Sequence, residues 1–438
     1  MRLGIDFGSR WIVAAIADRG NYPVISFEGE QAGSRQYFPA LVAVQGTKRI
    51  YGWDAWSAQS DPSSSVFGAT GAALPVGHGG EASAGASKLD LLFEIALALH
   101  TALDVAHLNR AASERYEVML GIPVQAEHSQ RSATVEAFLR AGFVVLGIME
   151  EPLADSLEYR HLHEPSGSIL VCHLGASLSA ASIVEIHEIG PVTIASAALE
   201  HVSADYFDTA LAELAWKAAG LPASAFASIS PGELFSLNEE CRRVREARLP
   251  SAQRFVIDLS NVVPGGKLVS VSMEAIQERW QPQLDRTIEA LERLLAAYKG
   301  AIAAIYATGE GSELPFVVHR LKETFGEQVC RAANGRATTA IGLAIAAEHI
   351  NEDEQYEQSY LRPHDIHAVA PFPIPNLDPE HWLAKFIQHA TKQYDASGGT
   401  ITLEAVSELL QQHQRAFSED LETARRMVRT YPQLFKKT

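Results

Sequence analysis

The chain has 438 residues, of which 47% are hydrophobic and 20% are charged, a balance that predicts two or three packed globular units instead of a disordered chain. The excess of 53 acidic over 36 basic residues gives a formal charge of -17, which repels phosphate backbones and anionic lipid. Composition therefore argues against nucleic acid and the membrane surface as partners.

The sequence also indicates a compartment. No stretch is apolar enough to span a bilayer, and Met1 leads directly into an alternating strand pattern instead of a signal peptide. Cys172, Cys241 and Cys330 are odd in number and far apart, so they predict reduced thiols and neither a disulfide framework nor a metal site. We expect a cytoplasmic protein.

Residues 2–17 predict a β-hairpin whose turn falls at Gly8 and Ser9, shortly after the carboxylate of Asp6. Small turn residues let backbone N–H groups approach phosphate oxygens, and a carboxylate can position a hydrated magnesium ion. Such a short motif is weak evidence on its own. Further along the chain, a helix is predicted over about residues 88–104.

Residues 116–159 predict strand, helix, strand and helix in turn. An apolar strand over 118–122 precedes a helix that Ser129 can cap and that Gly142 ends. A buried strand over 143–148 follows, and Glu151 with Pro152 opens the next helix.

This segment resembles the connecting segment of the DnaK-type heat-shock chaperones, because SQR, AT, an AG pair and EP recur in register. The resemblance extends over roughly the first four fifths of the chain. It implies an α/β fold of the actin-like ATPase (ribonuclease H-like) type with two lobes. The implied domains are lobe I (1–165 plus about 330–350, with an upper subdomain at about 36–104), lobe II (166–329, with an upper subdomain at about 204–272) and a helical C-terminal extension (353–438).

The resemblance also assigns site residues. Asp6 and Glu151 match catalytic positions, and Asp6 would hold magnesium through water. The positions that match nucleotide-binding residues are Gly8, Ser9, Arg10, Gly175, Ser177, Gly309 and Gly311.

Four other positions depart from the family pattern. Thr70 stands at the family's lysine, which reaches the terminal phosphate, and Leu178 stands at a threonine. Glu313 replaces the arginine that stacks on adenine, and an acid cannot stack as a guanidinium does. His173 replaces an aspartate. We interpret it as a hydrogen-bonded, neutral histidine at a buried strand end, which cannot hold a hydrated magnesium ion as a carboxylate does.

The helix that faces adenosine in the family is altered as well. Arg242, Arg245 and Glu246 stand where the family has a glutamate, a lysine and an arginine. A charge run on a helix is typical of a solvated face, and we expect that here.

Beyond residue 351 the family continues into a β-sandwich that holds client peptide. This chain instead shows an acidic patch, a proline-rich stretch and three helical patterns, near 379–394, 402–417 and 419–430. We therefore expect residues 353–438 to form a helical, partner-specific extension.

These observations favour a degenerate chaperone-like protein that acts through protein–protein interaction. ATP or ADP with magnesium would bind weakly, and ATP hydrolysis would be slow or absent. One alternative is an active ATP-dependent ATPase of the chaperone type that relies on Asp6 and Glu151. A second alternative is a small-molecule kinase on the same fold, although no substrate motif of those enzymes is present.

Overall fold

The computed structural model describes residues 1–29, 33–58, 64–68, 88–106, 114–163, 167–187, 190–200, 202–247, 252–260, 262–263, 265–350, 401–402 and 435–436. Contacts divide the chain into two compact units, Met1–Pro363 and His364–Thr438. Thr70 and most of the predicted C-terminal extension lie outside the described residues.

Before the central segment, the described residues of unit Met1–Pro363 form eight strands and two helices. In chain order they are β1 (Arg2–Phe7), β2 (Trp11–Ile16), β3 (Phe27–Gly29), β4 (Gly33–Arg35), β5 (Phe38–Pro39), β6 (Leu41–Gln45), β7 (Lys48–Tyr51), α1 (Gly52–Ser57), β8 (Ser64–Gly68) and α2 (Lys88–Val105). The central segment adds β9 (Glu117–Ile122), α3 (His128–Arg140), β10 (Val144–Glu150) and α4 (Glu151–His163).

These strands build the first five-stranded sheet, in the order β10-β9-β1-β2-β5. The apolar sequences of β1 and β2 pair antiparallel, with Leu3 opposite Ile16, and this pairing confirms the predicted hairpin. On its other side β1 runs parallel to β9, which places Asp6 beside Gly121. The sheet therefore carries Asp6 at the end of a central strand, where the β1–β2 turn begins.

The second part of the unit starts with a three-stranded meander. In chain order, the helices and strands of this second part are β11 (Gly167–Leu174), β12 (Ser179–His187), β13 (Gly190–Ala198), α5 (Ala204–Ala218), α6 (Ala223–Ala227), α7 (Pro231–Ala247), β14 (Arg254–Asp258), β15 (Leu268–Ser272), α8 (Met273–Ala297), β16 (Ile302–Thr308), α9 (Pro315–Phe325), β17 (Val329–Arg331) and α10 (Thr338–His349). A second five-stranded sheet has the order β13-β12-β11-β16-β17. In this sheet β11 and β12 form an antiparallel hairpin, like β1 and β2 in the first sheet.

Helices α4 and α10 connect the two sheets through one apolar core. Leu157 of α4 and Leu343 of α10 belong to the same buried cluster as Met119 of the first sheet and Val171 of the second. Two sheets joined in this way confirm the predicted two-lobed α/β fold. The β1–β2 turn and the β11–β12 turn both face the space between the lobes.

The start of helix α3 differs from the prediction. Its N-cap is Glu127, and Ser129 is already the second helical residue. The Glu127 backbone N–H donates to Oε1 of Gln130 at 2.9 Å, a reciprocal capping geometry that a serine two residues later does not provide. Gly142 ends the helix with a positive φ of 94°, as predicted.

In unit His364–Thr438 the described residues form one short parallel pair, β18 (Ile401–Thr402) with β19 (Phe435–Lys436). The predicted helices near 379–394, 402–417 and 419–430 lie outside the described residues apart from Thr402. Throughout the described ranges, no helix combines the length and apolarity needed to cross a membrane.

Candidate functional site

A cavity of about 230 Å³ lies between the β1–β2 turn, the β11–β12 turn and the start of α4. Its lining includes ten of the positions singled out in the sequence, namely Asp6, Gly8, Ser9, Arg10, Glu151, His173, Gly175, Ser177, Leu178 and Gly309. The cavity also has an apolar wall formed by Phe7, Leu92, Ile122 and Pro123. Gly311 does not line it, and Thr70 lies outside the described residues.

The two hairpin turns are too tight for any side chain at their glycines. A Cβ on Gly8 would lie 2.6 Å from the carbonyl oxygen of Trp11, and one on Gly175 would lie 2.4 Å from that of Leu178. Glycine is therefore required at both turns. Both glycines line the cavity.

The floor of the cavity is a buried cluster of carboxylates around His173. Its Nδ1 lies 2.9 Å from Oδ2 of Asp155, and its Nε2 lies 3.5 Å from Oε2 of Glu151. Asp155 is fully buried and also accepts hydrogen bonds from Thr339 and Thr308. The prediction of a hydrogen-bonded histidine at a buried strand end is thus confirmed.

Asp155 was missed in the sequence, although a signal was present. It lies four residues after Glu151 on α4, and residues at that spacing share one helix face. A second carboxylate one turn after a candidate catalytic glutamate therefore lies on the same side of the helix, where it contacts His173 beneath the cavity.

The charge state of His173 differs from the prediction of a neutral imidazole. Burial lowers its pKa, but Asp155 and Glu151 raise it by more, to about 10. Burial also raises the pKa of Glu151. Burial raises the pKa of Asp6 well above its usual range, and the Glu151 charge raises it further. His173 is therefore an imidazolium at neutral pH.

This donor set does not fit a hydrated magnesium ion. Both ring nitrogens of His173 face carboxylates, so the imidazolium neutralises them and repels a divalent cation. Within the described ranges, no group of three or more His, Cys, Asp or Glu side chains is arranged to hold a metal ion. Asp6 remains, and its Oδ1 is buried without a hydrogen-bond partner.

Helix α7 contributes to a second charged cluster, the α7 charge network, which consists of the buried residues Arg245, Asp208 and Glu310 and of Arg336 and Glu246 at its edge. Arg245 donates two hydrogen bonds to Asp208, of 2.8 and 2.9 Å, and one to Glu310 at 2.6 Å. Arg336 contacts Glu310 at 3.0 Å and Glu246 at 2.7 Å. Each guanidinium is therefore matched by carboxylates of the same chain.

The expectation of a solvated face on α7 is wrong. Arg245 is 8% exposed because Asp208 of α5 and Glu310 after β16 cover it, and Arg242 is 9% exposed because Trp11 and Trp56 cover it. Burial raises the pKa of Glu310, but Arg336 and Arg245 lower it by more, to well below its usual range. The network is therefore ionised and internally paired.

The predicted phosphate-facing side chains also have partners within the chain. The guanidinium of Arg10 forms ion pairs with Asp205 and Glu239. The Ser177 hydroxyl donates to Asp205 at 2.6 Å. The resemblance assigns Arg10 and Ser177 to nucleotide binding, but here both side chains are bound by carboxylates of the same chain.

Glu313 lies away from this cavity. It lines a second cavity of about 390 Å³ together with Arg245, Glu246, Phe207 and Phe316. Burial raises its pKa, against the lowering effect of Arg336. Its position places an acid where the family's adenine-stacking arginine is expected.

Comparison with known proteins identifies relatives. A family model described as Hsp70 protein matches residues 108–369, more than half of the chain. The Chaperone protein HscA homolog of Pseudomonas fluorescens is 25% identical over 255 residues, which cover 56% of this chain and 40% of that protein. Chaperone protein HscA of Escherichia coli is 26% identical over 245 residues, covering 54% of this chain and 37% of that protein.

Chaperone protein HscA of Escherichia fergusonii gives a similar match, 26% identical over 239 residues, with 53% of this chain and 36% of that protein covered. The chain thus spans well under half of the length of the curated relatives that it matches. The matched region includes the central segment, the β11–β12 turn and the α7 charge network, whereas the β1–β2 turn precedes it. The chain belongs to the Hsp70 family and has the family's actin-like fold.

Proposed function

We propose that this Hsp70-family protein acts through protein–protein contact, with magnesium-nucleotide bound weakly or not at all. The observation that carries the proposal is the α7 charge network. Arg245, Asp208 and Glu310 are buried and paired with one another, and Arg245 stands at a position that the resemblance assigns to adenosine contact. A ligand would have to break these pairs, and uncovering a buried charge costs several kcal/mol.

Hydrolysis is at most residual under this proposal. Phosphoryl transfer depends on a positioned metal ion and cations around the phosphates. The donor set around His173 does not fit magnesium, and the family's lysine falls on Thr70 in the sequence. The cavity retains Asp6 and Glu151, but without a bound metal ion the reacting phosphate lacks the cation that phosphoryl transfer needs.

The partner-specific part is residues 353–438. In the sequence, Trp382, Phe386 and Ile387 recur at helical spacing, so they need a surface to cover. The relatives carry the name chaperone, which describes proteins that engage other proteins. We propose a cytoplasmic location, because Cys172, Cys241 and Cys330 are all unpaired thiols, as expected in a reducing compartment.

Truncation after Pro363 tests the recruiting role. The compact unit Met1–Pro363 should keep its unfolding transition, while a partner that co-purifies with the full chain should be lost. The measurement combines thermal unfolding with identification of co-purified proteins by mass spectrometry. Unfolding of the truncated chain, with no partner recovered by the full chain, would reject the recruiting role.

An active ATPase is the second candidate, and one observation favours it. Asp6 and Glu151 line the same cavity as the two glycine turns, which is the arrangement the family uses. We expect phosphate release by the purified protein to be residual and unaffected by Glu151→Gln. Glu150→Gln, at the adjacent position, is the matched control. A turnover typical of active chaperones that Glu151→Gln abolishes and Glu150→Gln spares would favour the ATPase.

A further inference from the structure

Two buried arginines reach across the space between the lobes in opposite directions. Arg10 belongs to the β1–β2 turn of the first sheet, and its guanidinium pairs with Asp205 on α5 and Glu239 on α7. Its side chain is 8% exposed. The first sheet is therefore tied to two helices of the second lobe by one charged side chain.

Arg242 makes the reverse contact from α7. Its guanidinium carbon lies 5.1 Å from the ring centre of Trp11 and 5.0 Å from that of Trp56, and Nη1 lies 3.4 Å from the Tyr37 hydroxyl. All three aromatic residues belong to the first lobe. A desolvated guanidinium over aromatic faces is strongly held, because the ring quadrupoles attract the cation.

The aromatic pocket is itself packed across the lobes. Trp11 lies 4.8 Å from Trp56 between ring centres, and Trp56 meets Phe235 of α7 edge to face at 5.6 Å. Glu239 joins the two arginine contacts, because its Oε2 also accepts from Nε of Arg242 at 2.9 Å. Opening the lobes would therefore break the Trp56–Phe235 contact together with the contacts that Arg10 and Arg242 make with the opposite lobe.

We propose that Arg10 with Asp205 and Glu239, and Arg242 with Trp11, Trp56 and Tyr37, form an interlobe clamp that holds the lobes closed without any ligand. The clamp consists only of side chains of this chain, so closure does not depend on nucleotide. The body then keeps one conformation, as a rigid surface for its partners. This inference stands apart from the proposed function, because a clamped body is possible whether or not nucleotide binds.

The test is an interlobe distance distribution measured on the full chain by pulsed electron paramagnetic resonance. Spin labels go on Lys48→Cys in the first lobe and Leu268→Cys in the second, both exposed positions, in a Cys330→Ser background. The remaining cysteines, Cys172 and Cys241, are buried. The unmodified clamp should give one narrow distribution at short distance, identical with and without magnesium-ATP.

Arg10→Gln and Arg242→Ala should each shift the distribution to longer distances and broaden it. Arg243→Ala is the matched control, because Arg243 lies on the outer side of the same helix with a 64% exposed side chain. It should leave the distribution unchanged. Arg242→Lys serves if Arg242→Ala does not fold, since lysine keeps the charge and loses the planar contact with the rings.

Two results would overturn the clamp. One is a broad distribution in the parent chain that narrows only when magnesium-ATP is added. The other is a narrow, short distribution that persists in Arg10→Gln and in the folded Arg242 variant. Tight binding of magnesium-ATP with no change in distance would leave the clamp standing and contradict the proposed function alone.

Discussion

At the strand end where the family has an aspartate, His173 donates to Asp155, which α4 carries one turn after Glu151. The two residues are complementary, because each supplies the opposite charge that the other needs when buried. The imidazolium thus lies between carboxylates that would otherwise repel one another.

The raised pKa of His173 predicts a stability that depends on pH. Its folded-state pKa of about 10 lies above its unfolded value of about 6.5, so the folded protein binds more protons between these values. The stabilisation is complete below about pH 6.5 and is lost as the pH rises through about 10, by about 1.4 kcal/mol per pH unit. The raised pKa values of Asp6 and Glu151 act in the same direction. Thermal unfolding between pH 7 and pH 10 measures this loss.

His173→Gln should flatten this dependence. His319→Gln is the control, because His319 pairs with Glu323 on the surface and is 73% exposed, so it should keep the slope of the parent protein. A parent protein with no loss of stability over this range would contradict the assigned charge state. The same slope in His173→Gln would do so too.

At the scale of elements, α7 shows where sequence reasoning fails. The run of arginine and glutamate at 239–246 has the pattern of a surface helix, and i,i+3 and i,i+4 pairs are indeed present. The pattern cannot reveal that Asp208 of α5 and Glu310 after β16 pair with Arg245 and bury its charge. Those partners come from distant parts of the chain, so only the fold brings them together.

Removal of Arg245 should therefore be costly. Arg245→Ala leaves Asp208 and Glu310 buried without their main cation, and we expect a loss of about 3–5 kcal/mol of unfolding free energy. Arg243→Ala, two residues earlier on the same helix, removes an exposed pair with Glu240 and should cost less than about 1 kcal/mol. Equilibrium urea unfolding compares the two variants. Equal, small losses would show that the network is not a buried ionic structure.

Helix boundaries and turns were more accessible to prediction. The helix expected over about 88–104 runs from Lys88 to Val105, and the strand expected over 118–122 begins one residue earlier. These elements follow from local apolar periodicity and from glycine and proline, which act within a few residues. The N-cap of α3 was missed because a glutamate at that position is a less common capping residue than the serine that follows it.

At the scale of the whole molecule, the fold could be predicted from the sequence, but the pairing of charged side chains in the cleft between the lobes could not. Motifs such as SQR, AT and EP in the central segment carried the family assignment, and the sheets and connecting helices agree with it. The sequence also flagged the changed positions His173, Leu178 and Glu313. It could not show that His173 pairs with Asp155 or that Arg336 pairs with Glu310, because such pairs depend on side chains far apart in the chain.

The central claim is that the chain's own side chains satisfy the charges of its nucleotide cleft. Two lost charge-assisted contacts of about 2 kcal/mol each reduce a micromolar affinity to about 1 mM. Calorimetric titration of magnesium-ATP into the full chain tests this most directly. The account predicts a dissociation constant of about 1 mM or weaker, or no measurable heat of binding. A magnesium-dependent dissociation constant tighter than about 10 μM would contradict it.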